Sequence, residues 1–171
     1  VASWTGLGSK NVVAIPSGRD NAIRMELLEP AARKHVEAGG KIAAFVATMG
    51  TTDAFGLDDL EGMVALRDAL VRDYHLPYSP QVHADAVIGW AWSVFNDYDF
   101  ESNPLGFRPR TVRALSGASR RISKLGLADS LGIDFHKTGF CPYISSLFLS
   151  KNRKDLNLLS REPSQMPYLY Q

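Results

Sequence analysis

The sequence has one cysteine, almost no net charge and no long apolar run, and each shortage argues against a class of protein. Cys141 is the only cysteine, so an internal disulfide cannot form and a reducing compartment is favoured. We therefore expect a cytoplasmic location. No apolar stretch of the sequence approaches the roughly 20 residues that a membrane helix needs, so we expect no membrane partner.

The charged residues are balanced and give no reason to propose a polyanionic partner. The chain has 19 basic and 18 acidic residues, a formal net charge of +1, so neither nucleic acid nor an anionic membrane is expected to bind. The basic clusters at 108–113 and 120–124 are mixed with apolar residues, which is typical of a solvated helix face. Asp97, Asp99 and Glu101 have no histidine among them, and we predict no metal site there.

The length and the hydrophobic pattern predict one α/β unit with a mainly parallel sheet. The 171 residues, 45% of them apolar, are enough for one domain with its own core. Short apolar runs alternate with amphipathic stretches, as in βαβ folds. The predicted strands are Asn11–Ile15, Ile42–Ala47, Gln81–Asp85, Ser130–Phe135 and Ser145–Leu149. The predicted helices are Met25–Ala38 with its regular part beginning near Pro30, a helix capped by Asp58 or Asp59 that runs to Tyr74, Thr111–Leu125 and Lys151–Ser160, with a loop at Ser93–Pro109.

Three polar clusters follow predicted strands, at Ala47–Thr52, His83–Ala86 and Asp134–Gly139. Ligands bind at the carboxyl ends of parallel strands, so these clusters are candidates for one site. The chemistry of pyridoxal phosphate (PLP) needs a lysine amine that forms a Schiff base with the cofactor aldehyde, and an acidic side chain that keeps the pyridine nitrogen protonated. Lys137 and Asp85 suit these two roles, and the imidazole of His136 suits a phosphate.

The motifs together resemble those of a known enzyme family. The order ATMGTTDAFGLDDL, HADA and ADSLGIDFHKTG resembles the group II PLP-dependent amino-acid decarboxylases, whose usual pattern is a Gly-Thr-Thr turn, a His-x-Asp-Ala strand end and Asp-Ser followed by His-Lys. The resemblance runs from about Gly6 to Leu149. The sequence around His136 is also similar to the sphingosine-phosphate lyases and the archaeal tyrosine and aspartate decarboxylases, which have Asp at the position of Asp134.

The resemblance implies a fold, a reaction and a set of roles. The fold is the large-domain portion of a fold type I, aspartate aminotransferase-like PLP enzyme, and the reaction is decarboxylation of an amino acid through a Schiff base on Lys137. Asp85 binds the pyridine nitrogen, His136 lies near the phosphate or the Schiff base, and Thr48 lies close to the cofactor. His83 is a near neighbour of the site and a candidate catalytic residue. The family also implies a homodimer.

Two departures from the family pattern limit these assignments. Many members have Asn where Asp134 stands, and there it helps to hold the phosphate. An ionised Asp would repel a phosphate, so Asp134 is not assigned that role. Val87 is bulkier than the small residue often found under the ring.

The chain is expected to be a piece of a longer polypeptide. Its first residues continue an upstream segment, and the end at Pro163–Gln171 has no capping pattern. The resemblance implies that the ring-stacking histidine and the phosphate loop lie upstream of 1–171, and that a small domain lies downstream. We therefore interpret 1–171 as a partial PLP-binding large domain that acts as a homodimer or with a complementing chain of the same enzyme.

Other interpretations stay open at this stage. A PLP-dependent carbon–carbon lyase of the sphingosine-phosphate lyase type is an alternative, because the Asp134-x-His136-Lys137 arrangement also occurs there. A non-catalytic fragment or split subunit is another. Taken singly, Lys137 could be a surface lysine, Asp85 a helix cap, and His83 or His136 a structural histidine.

Overall fold

The computed structural model describes residues 3–138 and 141–158, and its centre is a four-stranded sheet in the order β1-β2-β3-β4. Strands β1, β2 and β3 run parallel, and β4 runs antiparallel to β3. This confirms the predicted α/β fold with a mainly parallel sheet. The strands are β1 Ala44–Thr48, β2 Gln81–Asp85, β3 Ser130–Asp134 and β4 Ser146–Ser150.

Helices pack on one face of this sheet. They are α1 Met25–Glu37, α2 Leu60–Asp73, α3 Pro109–Ile122 and the single turn α4 Phe135–Thr138, with 3₁₀ turns at Ser9–Asn11, Gly89–Phe95, Leu125–Leu127 and Arg153–Leu158. One apolar stripe of α2 meets alternate residues of the strands and forms the core, as the two periodicities require. The buried core side chains include Leu60, Met63, Leu66 and Leu70 of α2, Phe45 and Ala47 of β1, Val82 and Ala84 of β2, and Leu28 and Ala32 of α1.

The opposite face of the sheet is open. Side chains alternate between the faces of a strand, so the residues between the buried ones point the other way. On this open face Val46 of β1 is 58% exposed and Phe148 of β4 is 57% exposed. The same face carries Thr48, His83 and Asp85, which are partly buried. The polar residues at the strand ends therefore share one face that no helix covers among the described residues.

The predicted strand at Asn11–Ile15 was wrong. Asn11 ends a 3₁₀ turn, and Val12 and Val13 are 57% and 71% exposed. β-branched residues favour extended backbone, but a strand also needs a hydrogen-bonding neighbour. Among the described residues this segment has none; only Ser17, beyond Pro16, makes an isolated bridge, to Ile23.

The boundaries of several helices and turns also differ from the predicted ones. Helix α1 begins at Met25, with Pro30 inside it: Met25 and Leu28 belong to the same apolar stripe, and their burial outweighs the backbone hydrogen bond that proline cannot make. The predicted loop at Ser93–Pro109 is shorter than expected. Its first residues belong to the 3₁₀ turn that ends at Phe95, and its last residue, Pro109, begins α3. The predicted helix Lys151–Ser160 is a 3₁₀ turn, Arg153–Leu158. Residues 159–160 of that helix, Gly139 of the third motif and Pro163–Gln171 lie outside the described residues.

The two aspartates before α2 have different tasks. Asp59 caps the helix by accepting a hydrogen bond from Gly62 N at 3.0 Å. Asp58 is only 6% exposed, and its two oxygens accept hydrogen bonds from Ile23 N and Thr48 N, each at 2.6 Å. Asp58 therefore joins the segment before α1 to the carboxyl end of β1.

We expect Asp58→Ala to lower the free energy of unfolding by about 3 kcal/mol, because it leaves two backbone N–H groups without an acceptor in a buried position. Asp59→Ala is the matched control, and loss of an exposed cap costs about 1 kcal/mol. Urea unfolding followed by circular dichroism measures both. Equal losses for the two variants would show that Asp58 is only a cap.

Candidate active site

The carboxyl ends of three parallel strands meet at one edge of the sheet. In the register of the sheet Thr48 of β1 pairs with Asp85 of β2, and Asp85 pairs with Gly132 of β3. Residues paired in this way have side chains on the same face. The third polar cluster begins two residues after Gly132, at Asp134, and continues into α4. The structure thus brings Thr48, Asp85 and Asp134, one residue from each cluster, to one edge and one face of the sheet.

The connections that follow β1 and β2 are locked together. Met49 N donates a hydrogen bond to Asp85 O at 2.8 Å, so the turn after Thr48 continues the ladder between the two strands. A Cβ on Gly89 would collide with the carbonyl of Met49, so glycine is needed for this close approach. The side chains of Thr48 and Asp85 are therefore held on neighbouring, fixed backbones.

Asp85 has an available carboxylate. Among the described residues its one side-chain hydrogen bond comes from Val87 N at 3.4 Å, a long and weak contact. The residue is partly buried at the end of β2. A half-buried carboxylate with spare acceptor capacity can receive a charged N–H donor, which is the stronger kind of hydrogen bond.

Lys137 lies in α4, one turn beyond the end of β3. Its Nζ is 2.8 Å from Oδ2 of Asp134, and the two side chains are 38% and 13% exposed. Hydrogen bonds from Lys137 and from Ser146 hold the pKa of Asp134 below its usual value. The amine is thus anchored on the face that also carries Asp85.

His136 packs inward from the same turn. Its Nδ1 lies 2.9 Å from Ser145 O and 3.2 Å from Ser145 N, so the ring uses one of these contacts according to its tautomer. Its ring also contacts Tyr143, with centroids 4.2 Å apart, and its Nε2 is 3.7 Å from Asp134. The imidazole is therefore fixed between α4 and the segment before β4.

His83 lies on the open face, two residues before Asp85 on β2. Its Nδ1 is 2.8 Å from the hydroxyl of Ser130, and its ring stacks with Phe148, with centroids 6.0 Å apart and an interplanar angle of 19°. A Cβ on Gly132 would lie 4.0 Å from Nε2 of this ring, an ordinary van der Waals distance. The structure therefore places His83 next to the strand-end cluster and supported from β3 and β4.

The sequence did not predict several residues that support the candidate site. Ser130 orients His83, and Ser146 donates from its hydroxyl to Oδ1 of Asp134 at 2.5 Å. Trp90 Nε1 donates to the carbonyl of Asp134 at 3.0 Å and fixes the end of β3. These partners come from other strands or loops, so no local spacing in the sequence marks them.

Two clefts among the described residues lie away from this edge. One is formed by the residues before and in α2 together with the end of α3, and the other by the start of β3 and the end of β4; neither includes Asp85 or Lys137. Enclosure needs a second layer, and the open face has none among the described residues. The candidate site residues therefore lie on an uncovered face of the sheet and not in a closed pocket.

The comparisons with solved structures define the fold. With the glutamate decarboxylase domain of a diaminobutyrate-pyruvate transaminase and L-2,4-diaminobutyrate decarboxylase from Vibrio parahaemolyticus, the TM-score is 0.65 at 23% identity, covering 94% of this chain and 28% of that one. With Oryza sativa TDC, solved with PLP, the TM-score is 0.58 at 18% identity, covering 90% and 27%. The chain therefore shares the fold of part of these solved structures, which are fold type I PLP-dependent decarboxylases.

The curated relatives of the chain are amino-acid decarboxylases. The chain is 27% identical over 166 residues to an L-2,4-diaminobutyrate decarboxylase from Acinetobacter baumannii, covering 96% of the chain. It is 26% identical over 154 residues to an L-tyrosine decarboxylase from Enterococcus faecalis. The homologues of this chain are thus amino-acid decarboxylases, as the motif resemblance predicted. No protein-family model matches the chain.

The match covers only part of each relative. The chain spans 27% of the A. baumannii protein and 24% of the E. faecalis protein. Among the described residues no helix is long and apolar enough to cross a membrane.

Proposed function

We propose that this chain is the lysine-bearing part of a PLP-dependent amino-acid decarboxylase. The proposal is supported by the register of the sheet, in which Asp85 pairs with Gly132, two residues before Asp134, the ion-pair partner of Lys137. The homologues of the chain are amino-acid decarboxylases. These homologues favour decarboxylation over the carbon–carbon lyase alternative.

The residues present suit PLP as the cofactor. Lys137 offers an amine on the open face, Asp85 offers a carboxylate with spare capacity for an N–H donor, and Thr48 and His136 offer polar groups beside them. The buried hydroxyl of Thr138, next to Lys137, has no hydrogen-bond partner among the described residues, which supports a ligand in contact with α4. When bound, PLP supplies a pyridinium ring that accepts the electrons released from the bond being broken.

The chain's own residues contribute position and charge. Lys137 would hold the cofactor by its amine. Asp85 would keep the pyridine nitrogen protonated, because a carboxylate forms a charge-assisted hydrogen bond with a charged N–H donor. Thr48, fixed through its backbone N–H by Asp58, places a hydroxyl beside Asp85. His83, oriented by Ser130 and Phe148, is the candidate for a proton-bearing group near the reacting carbon.

The rest of the proposal concerns the setting of the chain. Residues 1–171 form a partial PLP-binding large domain that is completed by further polypeptide or by a second copy in a cytoplasmic homodimer. The match to about a quarter of each relative supports incompleteness. The exposed apolar side chains of the open face, Val46 and Phe148, support its burial against another part of the assembly.

A labelled-substrate assay tests the reaction. L-tyrosine and L-2,4-diaminobutyrate carrying ¹⁴C in the α-carboxyl group are incubated with PLP and with either the 171-residue chain or the natural polypeptide that carries it. We expect labelled CO₂ and the matching amine from an L-amino acid and not from its D-enantiomer. Release of an aldehyde without CO₂ would support the lyase alternative. Absence of both products from the natural polypeptide would contradict the proposed function.

A further inference from the structure

We infer that Asp134 is a positioning residue that holds the Lys137 amine in an ion pair and restrains its reaction with carbonyl compounds. The inference rests on the proposed function only in taking Lys137 as the residue that attaches the cofactor. The pair itself is defined by the 2.8 Å contact between Nζ and Oδ2. It gives Asp134 a task other than phosphate binding.

The carboxylate is a fixed partner for the amine. Oδ1 of Asp134 accepts a hydrogen bond from Ser146, its register partner on β4, while Oδ2 faces Lys137. The backbone carbonyl of Asp134 is held by Trp90, whose ring packs edge-on against Phe135. Both the backbone and the side chain of Asp134 are thus anchored, whereas the lysine side chain is longer and more exposed.

The charges around the pair make Asp134 the main electrostatic partner of Lys137. His136 lies 3.7 Å from the same carboxylate, and its Nδ1 is already engaged with Ser145. From β2 the titratable groups on this face are His83 and Asp85, and β4 contributes Ser146, Phe148 and Ser150, which carry no charge. The lowered pKa of Asp134 means that its carboxylate is ionised at neutral pH.

The consequence is chemical. An ammonium group must lose its proton to solvent before its lone pair can add to a carbonyl carbon, and an adjacent carboxylate favours the protonated, paired state. Addition to an acyl reagent then forms the N–C bond and expels the leaving group. Asparagine at position 134 keeps the shape and the acceptor for Ser146 but removes the charge.

Competitive acetylation measures this restraint without any cofactor. Trace acetic anhydride is added to the 171-residue chain from pH 6 to 9, and the acetylation of each lysine is read by peptide mass spectrometry. We expect Asp134→Asn to raise the Lys137 rate at pH 7 about three- to fivefold, the range that a partly exposed ion pair supports. Asp134→Glu should restore slow labelling.

A second ion pair provides the matched control. Lys124 is 41% exposed and pairs with Glu61 at 3.4 Å, so Glu61→Gln should change Lys124 labelling and leave Lys137 unchanged. Equal Lys137 rates in the parent chain and in Asp134→Asn would overturn the inference. A rise in the acetylation rate of all lysines would mean that the variant unfolds. In that case the effect of salt on the parent chain tests the inference. Added salt should speed Lys137 more than Lys151, whose Nζ donates to the Gly126 carbonyl; no difference overturns the inference.

The outcome is independent of the decarboxylase assay. If PLP attaches to Lys137 while acetylation is unaffected by Asp134→Asn, the proposed function stands and the inference fails. If acetylation responds but PLP does not attach, the ion pair is real and the proposed function fails.

Discussion

Lys137→Ala is expected to abolish covalent attachment of PLP and to lower kcat for decarboxylation on the order of 10³-fold or more, as removal of a covalent catalytic group does in other enzymes. No other lysine of the described residues is placed to replace it at this edge of the sheet. The amine lies on the face that carries Asp85, held there by Asp134 at 2.8 Å. Lys137→Arg tests the same point with the charge retained, because a guanidinium does not form a stable adduct with an aldehyde.

Borohydride reduction and peptide mapping measure the attachment directly. The protein is incubated with PLP, reduced and digested, and the pyridoxyl mass is located. We expect it on Lys137 in the parent protein and on no residue in Lys137→Ala. Lys151→Ala is the control and should leave labelling unchanged, because that amine lies beyond the end of β4. An adduct on another lysine in the parent protein would contradict the assignment of the site.

The sequence predicted the sheet well where strands are buried. β2 was predicted at its observed bounds, Gln81–Asp85, because a central parallel strand is apolar on its covered face and ends at a polar cluster. The segment Asn11–Ile15 is richer in β-branched residues than β2, yet no strand forms there. Composition reports the local preference of the backbone, and only the tertiary structure supplies a pairing partner.

The sequence predicted the candidate site residues better than the contacts between them. Strand-end clustering and the motif resemblance indicated Asp85, Lys137, Thr48 and His136, and the structure brings all of them to one edge. The contacts of Asp134 with Lys137 and Ser146 were not predicted, nor was the role of Asp58 in holding Thr48. The pair at positions 134 and 137 is local and was visible as an i, i+3 spacing. The partners from β4 and from the segment before α1 depend on register, which the sequence does not display.

The second large effect is expected at Asp85. Its carboxylate is proposed to keep the pyridine nitrogen of PLP protonated, so Asp85→Asn should leave attachment at Lys137 intact while lowering kcat about 10²- to 10³-fold, the effect of removing one electrostatic group aimed at developing charge. The side chain makes one long hydrogen bond, from Val87 N at 3.4 Å, so little of the native packing depends on its charge and the variant should fold.

A split between attachment and turnover distinguishes this role from a structural one. Borohydride mapping of Asp85→Asn should still give the pyridoxyl adduct on Lys137, whereas release of CO₂ from the labelled amino acid should nearly stop. Asp85→Glu retains the charge and should recover part of the turnover, limited by its extra methylene. Loss of both attachment and turnover in Asp85→Asn, with unchanged circular dichroism, would indicate that Asp85 binds the cofactor without tuning it. Full turnover would exclude a pyridinium partner at this position, because the electron-accepting ring depends on a proton that a neutral amide holds far less firmly than a carboxylate.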